Sequence, residues 1–200
     1  MYRKFFDKQN KEITIRPVSA ADAEQLAEIY APYVKNTAIT FEYQAPSAEE
    51  FVRRISHTLE TYPYLAAEAE GKILGYGYAG PLKERAAYDR SCEMSIYIRQ
   101  DQKRRGIGRV LYGALEECLK AQNILNLYAC ISYPEKEDEY LSLDSVRFHE
   151  HMGYRLIGRF HQCGYKFGRW YDMIWMEKFI GDHIDKPLEV KKYPDLQKWV

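Results

Sequence analysis

Apolar positions along this chain switch between two spacings, and each switch marks an element. Ile13 and Ile15 alternate with Thr14 and Arg16 ahead of Pro17, the two-residue period of a strand. Ser19 and Asp22 then have capping-box spacing. Leu26, Ile29, Tyr30 and Tyr33 recur at helical intervals, so a helix is predicted to about Val34, with Pro32 bending or ending it. Residues 36–46 read as extended. Ser47 and Glu50 form a second capping box, which opens a helix with Phe51, Val52, Ile55 and Leu59 on one stripe. That helix stops near Pro63. Strands over 64–69 and 73–79 flank Glu70-Gly71, a hairpin turn signal, and 81–90 is a charged loop.

Residues 92–99 are mostly apolar, the pattern of a strand buried on both faces. A helix over 106–122 carries Ile107, Val110, Leu111, Ala114, Leu115, Cys118 and Leu119 on one face. A strand over 125–132 leads into YPEKEDEY at 133–140, read as an acidic, exposed insertion. A helix over 142–152 stops at Gly153, a suitable C′ residue. Strands at 154–162 and 173–179 flank a glycine-rich turn at 164–168. Residues 1–11 are expected to be frayed or a short arm, and 181–200 a tail that wraps the surface or reaches a partner. The order β-α-α-β-β-β-α-β-α-β-β lacks strict alternation. It predicts an α/β chain of α+β type, a central mixed and mostly antiparallel sheet flanked by helices. One domain over 1–180 is expected, followed by the tail.

Charge and composition narrow the function. Lys plus Arg number 29 and Asp plus Glu 29, giving a net charge of zero, which argues against a general nucleic-acid binder. The first dozen residues hold no apolar h-region, and no apolar run approaches a membrane span. A cytoplasmic protein with no membrane partner is the expectation. Cys92, Cys118, Cys130 and Cys163 include no C-x-x-C pair, so they read as reduced thiols, mostly packed as small apolar groups. The run His149-Glu150-His151 is not H-E-x-x-H, so no metal site is expected. Tyrosine, with 18 copies, dominates the aromatics and suits both cores and polar pockets.

The most informative segment is CEMSIYIRQDQKRRGIG, from Cys92 to Gly108. An apolar strand runs into a charged loop that opens an apolar-faced helix. Gly106 and Gly108 let the backbone approach a ligand, and unpaired N–H groups at the helix start favour an anion. Lys103, Arg104 and Arg105 add long-range attraction. The segment is neither a Walker A loop nor the three-glycine dinucleotide turn. A pyrophosphate fits this chemistry; a basic helix start with glycines for a tight turn would read the same.

A strand, then R/Q-x-x-G-x-G/A, then a helix resembles motif A of the GCN5-related N-acetyltransferases, with Lys103 standing where Gln or Arg is usual. The resemblance runs from about Ile13 to Phe179 and narrows to the phosphinothricin acetyltransferase group. It is carried by YPYLAAEAEGKILGYGYAGP, KERAAYDRSCE, SIYI, DSVRFHEHMGY and GYKFGRWYDM. It implies an acetyltransferase fold, acetyl-CoA as co-substrate, a small-molecule amine as acceptor and a homodimer. Exposed Tyr and Trp near the chain end would suit such an interface. Loop amides around Lys103, Arg104, Arg105, Gly106, Ile107 and Gly108 would hold the pyrophosphate. Ile96, Tyr97 and Ile98 would bond the pantetheine arm as an added strand or meet the oxyanion. Ser142 stands where such proteins often have Asn, beside the expected cofactor.

Acetyl transfer to an amine needs a neutral amine, hence a base. Glu93 is the first candidate, a carboxylate in an apolar strand whose burial would raise its pKa; it also aligns with the acidic residue that the resembled group uses. His149 resembles the position where many acetyltransferases place a general acid, and would assist as acid or base. Lys83, Arg85 and Tyr88 lie just before Glu93, where cations would attract a carboxylate or phosphinate; a solvated charged loop is the plain alternative. Phe41 resembles an acceptor-lining residue, or is core. Lys166 and Arg169-Trp170-Tyr171-Asp172 read as structural. The expected activity is direct acetylation of the α-amine of a small acidic amino acid or analogue, of phosphinothricin, methionine sulfoximine or methionine sulfone type. Acetylation of protein or peptide N-termini, and acetyl-CoA sensing without catalysis, fit the same scaffold.

Overall fold

A computed structural model describes residues 3–196. Eight strands form one sheet: β1 (Arg3–Phe6), β2 (Glu12–Pro17), β3 (Tyr64–Ala69), β4 (Lys72–Pro81), β5 (Ser91–Ile98), β6 (Asn126–Tyr133), β7 (Arg155–Lys166) and β8 (Arg169–Phe179). The helices are α1 (Ala23–Asn36), α2 (Ala48–Leu59), α3 (Ile107–Ala121), α4 (Asp144–His151) and the short α5 (Tyr193–Leu196). The spatial order is β1-β2-β3-β4-β5-β6-β8-β7, antiparallel everywhere except between β5 and β6. This is the mixed, mostly antiparallel architecture that the element order predicts.

The two sheet faces hold two cores. Leu26, Ile29 and Val34 of α1 and Phe51 and Ile55 of α2 pack with Tyr64 and Tyr76 on one face. Ile107, Leu111, Leu115 and Leu119 of α3 pack with Cys92, Met94, Leu127 and Ala129 on the other. The 3.6-residue stripes read from the sequence are these two buried faces, except that Val52 of α2, read as part of its stripe, is exposed. Ser47 accepts the Glu50 N–H and so starts α2 as the capping box predicts. Gly153 ends α4 at φ +86°.

The parallel pair matters most for function. β5 pairs β6 only from Ser91–Glu93 against Asn126–Tyr128, after which the two strands part. β6 stays in register with β8 as far as Tyr133 opposite Asp172, and β5 stays with β4. The sheet therefore opens a fork between residues 94–98 and 129–132.

Several boundaries differ from the sequence reading. Residues 3–6 are not a frayed arm but an edge strand, because the turn at Asp7 folds them back on β2. α1 continues past Pro32 to Asn36, since burying Tyr33 and Val34 outweighs one lost backbone bond. Residues 37–47 form no strand; side-chain bonds hold them instead. The β7–β8 hairpin is longer than predicted and turns at Phe167-Gly168, with register shifts on β7. The acidic segment before α4 is not free: Asp138 accepts the Tyr140 and Leu141 N–H groups at 2.8 Å, and Arg169 pairs with Asp138 and Glu139. The C-terminal tail is strapped down as far as residue 196, with the Lys191 N–H on the Gln122 carbonyl and Tyr193 only 4% exposed; its last four positions, 197–200, lie outside the described residues. Only Cys92 and Cys118 are packed apolar thiols; Cys130 and Cys163 are exposed.

Leu111 is fully buried under the sheet. Leu111→Ala is expected to lower unfolding free energy by about 2–5 kcal/mol, through lost transfer and a residual cavity, read from the shift in denaturant midpoint.

Candidate active site

The loop between β5 and α3 is shaped by backbone conformation. Arg104 has φ +64° and Gly106 φ +89°, two left-handed residues with Arg105 between them. Such alternation curves the chain so that successive N–H groups face one concavity. Gly106 is the N-cap of α3, and its carbonyl takes the Val110 N–H. Helix geometry leaves the N–H groups of Ile107, Gly108 and Arg109 without an intrahelical acceptor. Gly108 has a second reason to be glycine: a Cβ there would lie 3.2 Å from the Phe148 ring, where α3 and α4 meet.

The three predicted cations do different work. The Lys103 ammonium sits 5.2 Å over the Tyr33 ring, and Arg104 is exposed. Arg105 turns inward. Its Nε donates to Asp7 at 2.6 Å, and its guanidinium also meets Gln102. Asp7 takes the N–H groups of Gln9 and Lys11 as well, so Arg105 pins the β1–β2 turn against the loop. Its side chain is engaged in structure and is not free for a ligand.

At the fork, strand parity decides which groups are free. The Arg99 N–H bonds the Leu74 carbonyl, so Tyr97 and Arg99 direct their main chain to β4 while Ile96 and Ile98 direct theirs toward β6. Tyr97 thus brings its side chain alone. The Tyr33 hydroxyl donates to the Ile98 carbonyl at 2.5 Å and lies 3.3 Å from its N–H. Of the three predicted residues, Ile96 turns its polar main chain to the open fork. A cavity of about 60 Å³ lies there, lined by Met94, Ser95, Ile96 and Tyr97 on β5, residues 129–132 on β6, and Ile39, Tyr112, Leu141, Ser145 and His149.

Glu93 stands where the strands part, opposite Gly80 on β4 and Tyr128 on β6. Burial pushes its carboxyl above the ordinary range, against the opposing pull of the Lys83 charge. Lys83, Arg85 and Tyr88 lie on the exposed loop after β4; Arg85 precedes the short turn at Ala86–Tyr88. Lys83 is the one whose field reaches Glu93. Glu93 shares its sheet face with Ser95, Tyr97, Tyr78 and Tyr76. That face continues under α2 into a cavity of about 260 Å³ walled by Tyr30, Phe51, Arg54, Tyr64, Tyr76, Tyr78 and Tyr97.

The segment after α1 is held across the fork by polar bonds. Ser132 Oγ donates to the Ile39 carbonyl at 3.1 Å, Lys166 Nζ to the Thr40 carbonyl at 2.7 Å, and Thr40 meets the Tyr30 hydroxyl at 2.8 Å. Phe41 presses its ring on Gly164 of β7, where any Cβ would collide with it. Asp172 accepts from Arg159 and the Gln162 N–H, so Lys166 and Asp172 are structural, as read. Ser142 Oγ accepts the Asp144 N–H at 3.3 Å and helps start α4.

His149 is 4% exposed on α4. Its Nδ1 is 2.7 Å from the Ser145 carbonyl and its Nε2 2.9 Å from the Tyr112 hydroxyl. A carbonyl only accepts, so Nδ1 carries the proton and Nε2 accepts from Tyr112. Burial pulls the imidazole down to about 4, with the Ser145 bond opposing it. Tyr112, fully buried, is the residue that pattern reading passed over. It lies within the apolar stripe of α3, and its one signal is a buried tyrosine's need for a partner.

The acetyltransferase (GNAT) domain family model matches residues 15–175. The chain belongs to the GNAT acetyltransferase family. It is 33% identical, over 86% of its length and 90% of the relative's, to a phosphinothricin N-acetyltransferase of Streptomyces viridochromogenes. It is 32% identical, over 82% of its length and 92% of the relative's, to an L-methionine sulfoximine/L-methionine sulfone acetyltransferase of Pseudomonas paraeruginosa. A crystal structure of a GNAT phosphinothricin acetyltransferase from Sinorhizobium meliloti, in complex with AcCoA, superposes with a TM-score of 0.81 at 33% identity, covering 92% of this chain and 96% of that one. Among the described residues of this GNAT acetyltransferase, no three His, Cys, Asp or Glu side chains are grouped to hold a metal, and no helix is long and apolar enough to cross a membrane.

His149 has a testable electrostatic signature. Its folded pKa lies below the ordinary 6.5, so the unfolded chain binds the extra proton first. The stabilisation is complete above pH 6.5 and is lost as pH falls toward about 4, by up to about 3 kcal/mol. Its ring signals in NMR are expected not to titrate between about pH 8 and about pH 5. His149→Gln is expected to flatten the pH dependence of stability over that window, read by denaturant unfolding.

Proposed function

We propose that this chain is an acetyl-CoA-dependent N-acetyltransferase that acetylates the α-amine of a small acidic amino acid or analogue. Phosphinothricin, methionine sulfoximine and methionine sulfone are the acceptors to test first, because its relatives carry those names. The observation that carries the reading is a half-buried carboxylate, Glu93, at the point where β5 and β6 separate, on the strand that leads to a loop with left-handed Arg104 and Gly106 at a helix start.

In this reading, the N–H groups from Arg104 to Arg109 receive the pyrophosphate, and the exposed Arg104 adds charge. The polar main chain of Ile96 takes one amide of the pantetheine arm, or the oxyanion that forms on the thioester carbonyl. The acyl group then lies in the fork, with Glu93 on one side of the sheet and His149 and Tyr112 on the other. Glu93 removes the amine proton, directly or through water; its raised pKa suits it to the task. The amine nitrogen bonds the acetyl carbon, and the carbon–sulfur bond breaks without an acyl-enzyme. Lys83 and Arg85 attract the acceptor's acidic groups, and Phe41 bounds its site. The exposed apolar side chains Leu156, Ile157, Phe160 and Trp170 on the outer hairpin support a homodimer through that edge of the sheet.

Free thiol release from acetyl-CoA tests the reading across a panel of amino-acid analogues and of peptides with free N-termini. Turnover is expected on the acidic amino-acid analogues. Binding of acetyl-CoA without turnover on any amine would make the chain a sensor, and preference for peptides would move it to N-terminal acetylation. Glu93→Gln is expected to lower kcat about 10²- to 10⁴-fold, with little change in KM for acetyl-CoA. The wild-type acid limb is expected above the usual glutamate pKa, because the base works only when deprotonated, and to vanish in the variant.

A further inference from the structure

We propose that Tyr112 is a catalytic residue whose hydroxyl meets the departing sulfur, and that His149 is a positioning residue that holds this hydroxyl ready. The inference rests on the acetyl-transfer reading and adds to it a residue and a division of labour. Tyr112 and His149 both line the cavity at the fork, with Met94 and Ser145 beside them. Each is closed to solvent on its other sides. The Tyr112 ring is fixed by edge contacts to Phe148 and His149 at 5.3 and 5.5 Å and by a tilted contact to Tyr154 at 6.1 Å. Only the hydroxyl proton is left to move.

The hydrogen-bond directions exclude a simple acid role for His149. Its one proton, on Nδ1, is engaged with the Ser145 carbonyl at 2.7 Å. Its Nε2 accepts from Tyr112 at 2.9 Å and has no proton to give. The imidazole stays neutral through the working range, in keeping with its burial.

The Tyr112 hydroxyl bonds Nε2 at rest, and in this proposal a turn about its C–O bond redirects it to the sulfur of an acyl group in the fork. A neutral bond to nitrogen is worth less than a bond to an ionised acceptor. The hydroxyl therefore turns as negative charge grows on sulfur, and its gain is made in the transition state, not the ground state. No proton passes from Tyr112. The nitrogen–carbon bond forms, the carbon–sulfur bond breaks, the amine proton goes to Glu93 and then to solvent, and the sulfur leaves as thiolate. Burial disfavours a tyrosinate here, with Glu116 the first nearby charge adding to that effect. Donation of a hydrogen bond, and not of a proton, is the chemistry open to it.

Tyr112→Phe keeps the ring and deletes the hydroxyl. It is expected to lower kcat about 100-fold while KM for acetyl-CoA changes less than about 3-fold. The defect is expected to shrink with an acetyl thioester of a more acidic thiol, since such a group needs less help to leave. His149→Ala is expected to lower kcat as well. His149→Gln, whose amide oxygen can accept from Tyr112, is expected to recover most of it with the acid limb of the pH profile in place. Tyr112→Phe combined with His149→Ala is expected to be no worse than Tyr112→Phe alone. Wild-type-like turnover by Tyr112→Phe overturns the proposal, as does a defect independent of the leaving thiol, or loss of the acid limb in His149→Gln. Failure of the acetyl-transfer reading itself would show separately, as a wild-type enzyme inactive on every amine.

Discussion

The site depends on the short pairing of β5 with β6. Parallel neighbours in this sheet share only three residues on each strand before they separate. A sheet that stayed paired would have buried the polar main chain of Ile96 in a ladder bond, and no ligand could reach it. Because each strand keeps its other neighbour, β4 for one and β8 for the other, the opening costs little of the remaining structure. It also passes through the layer. Glu93 stands on the α1–α2 side, and His149 reaches the same opening from the α3–α4 side. One gap thus brings together groups that the sheet would otherwise keep apart.

Loops around the gap are held by charge and hydrogen bonds more than by burial. The segment after α1 hangs on Ser132, Lys166 and Tyr30, each from a different element. The acidic stretch before α4 hangs on Arg169 and Tyr171. Arg105 and Asp7 join the loop between β5 and α3 to the first hairpin. Such bonds place chain that carries no regular ladder of its own, and each satisfies polar groups that would otherwise be costly to bury. They also explain why Arg105, which looks like a ligand seeker in sequence, is already engaged in the fold.

Buried ionisable groups here divide by partner. Glu93 lies next to an opening, with a lysine near enough to be felt and burial keeping its proton affinity high. His149 is enclosed by Phe148, Tyr112 and Tyr154 and bonded at both nitrogens. Two candidates of similar standing in sequence therefore have opposite electrostatic situations, one suited to taking up a proton and one held neutral.

The amphipathic stripes of α2 and α3, the β3–β4 turn at Glu70-Gly71, the glycine at the end of α4 and the charged loop before α3 were all legible in the residues. Each depends on local sequence spacing or on backbone freedom at a single position. Arg105 could not be separated from Arg104 that way, because its partner Asp7 is far along the chain. Nor could Tyr112 be matched to His149, or the free main chain of Ile96 be told from the committed one of Tyr97. Local pattern decided which segments are helices and strands, and which loop carries the glycines and cations. Only the tertiary structure decided where two parallel strands stop pairing and which polar groups already have partners, because both follow from contacts between residues that the chain order leaves distant.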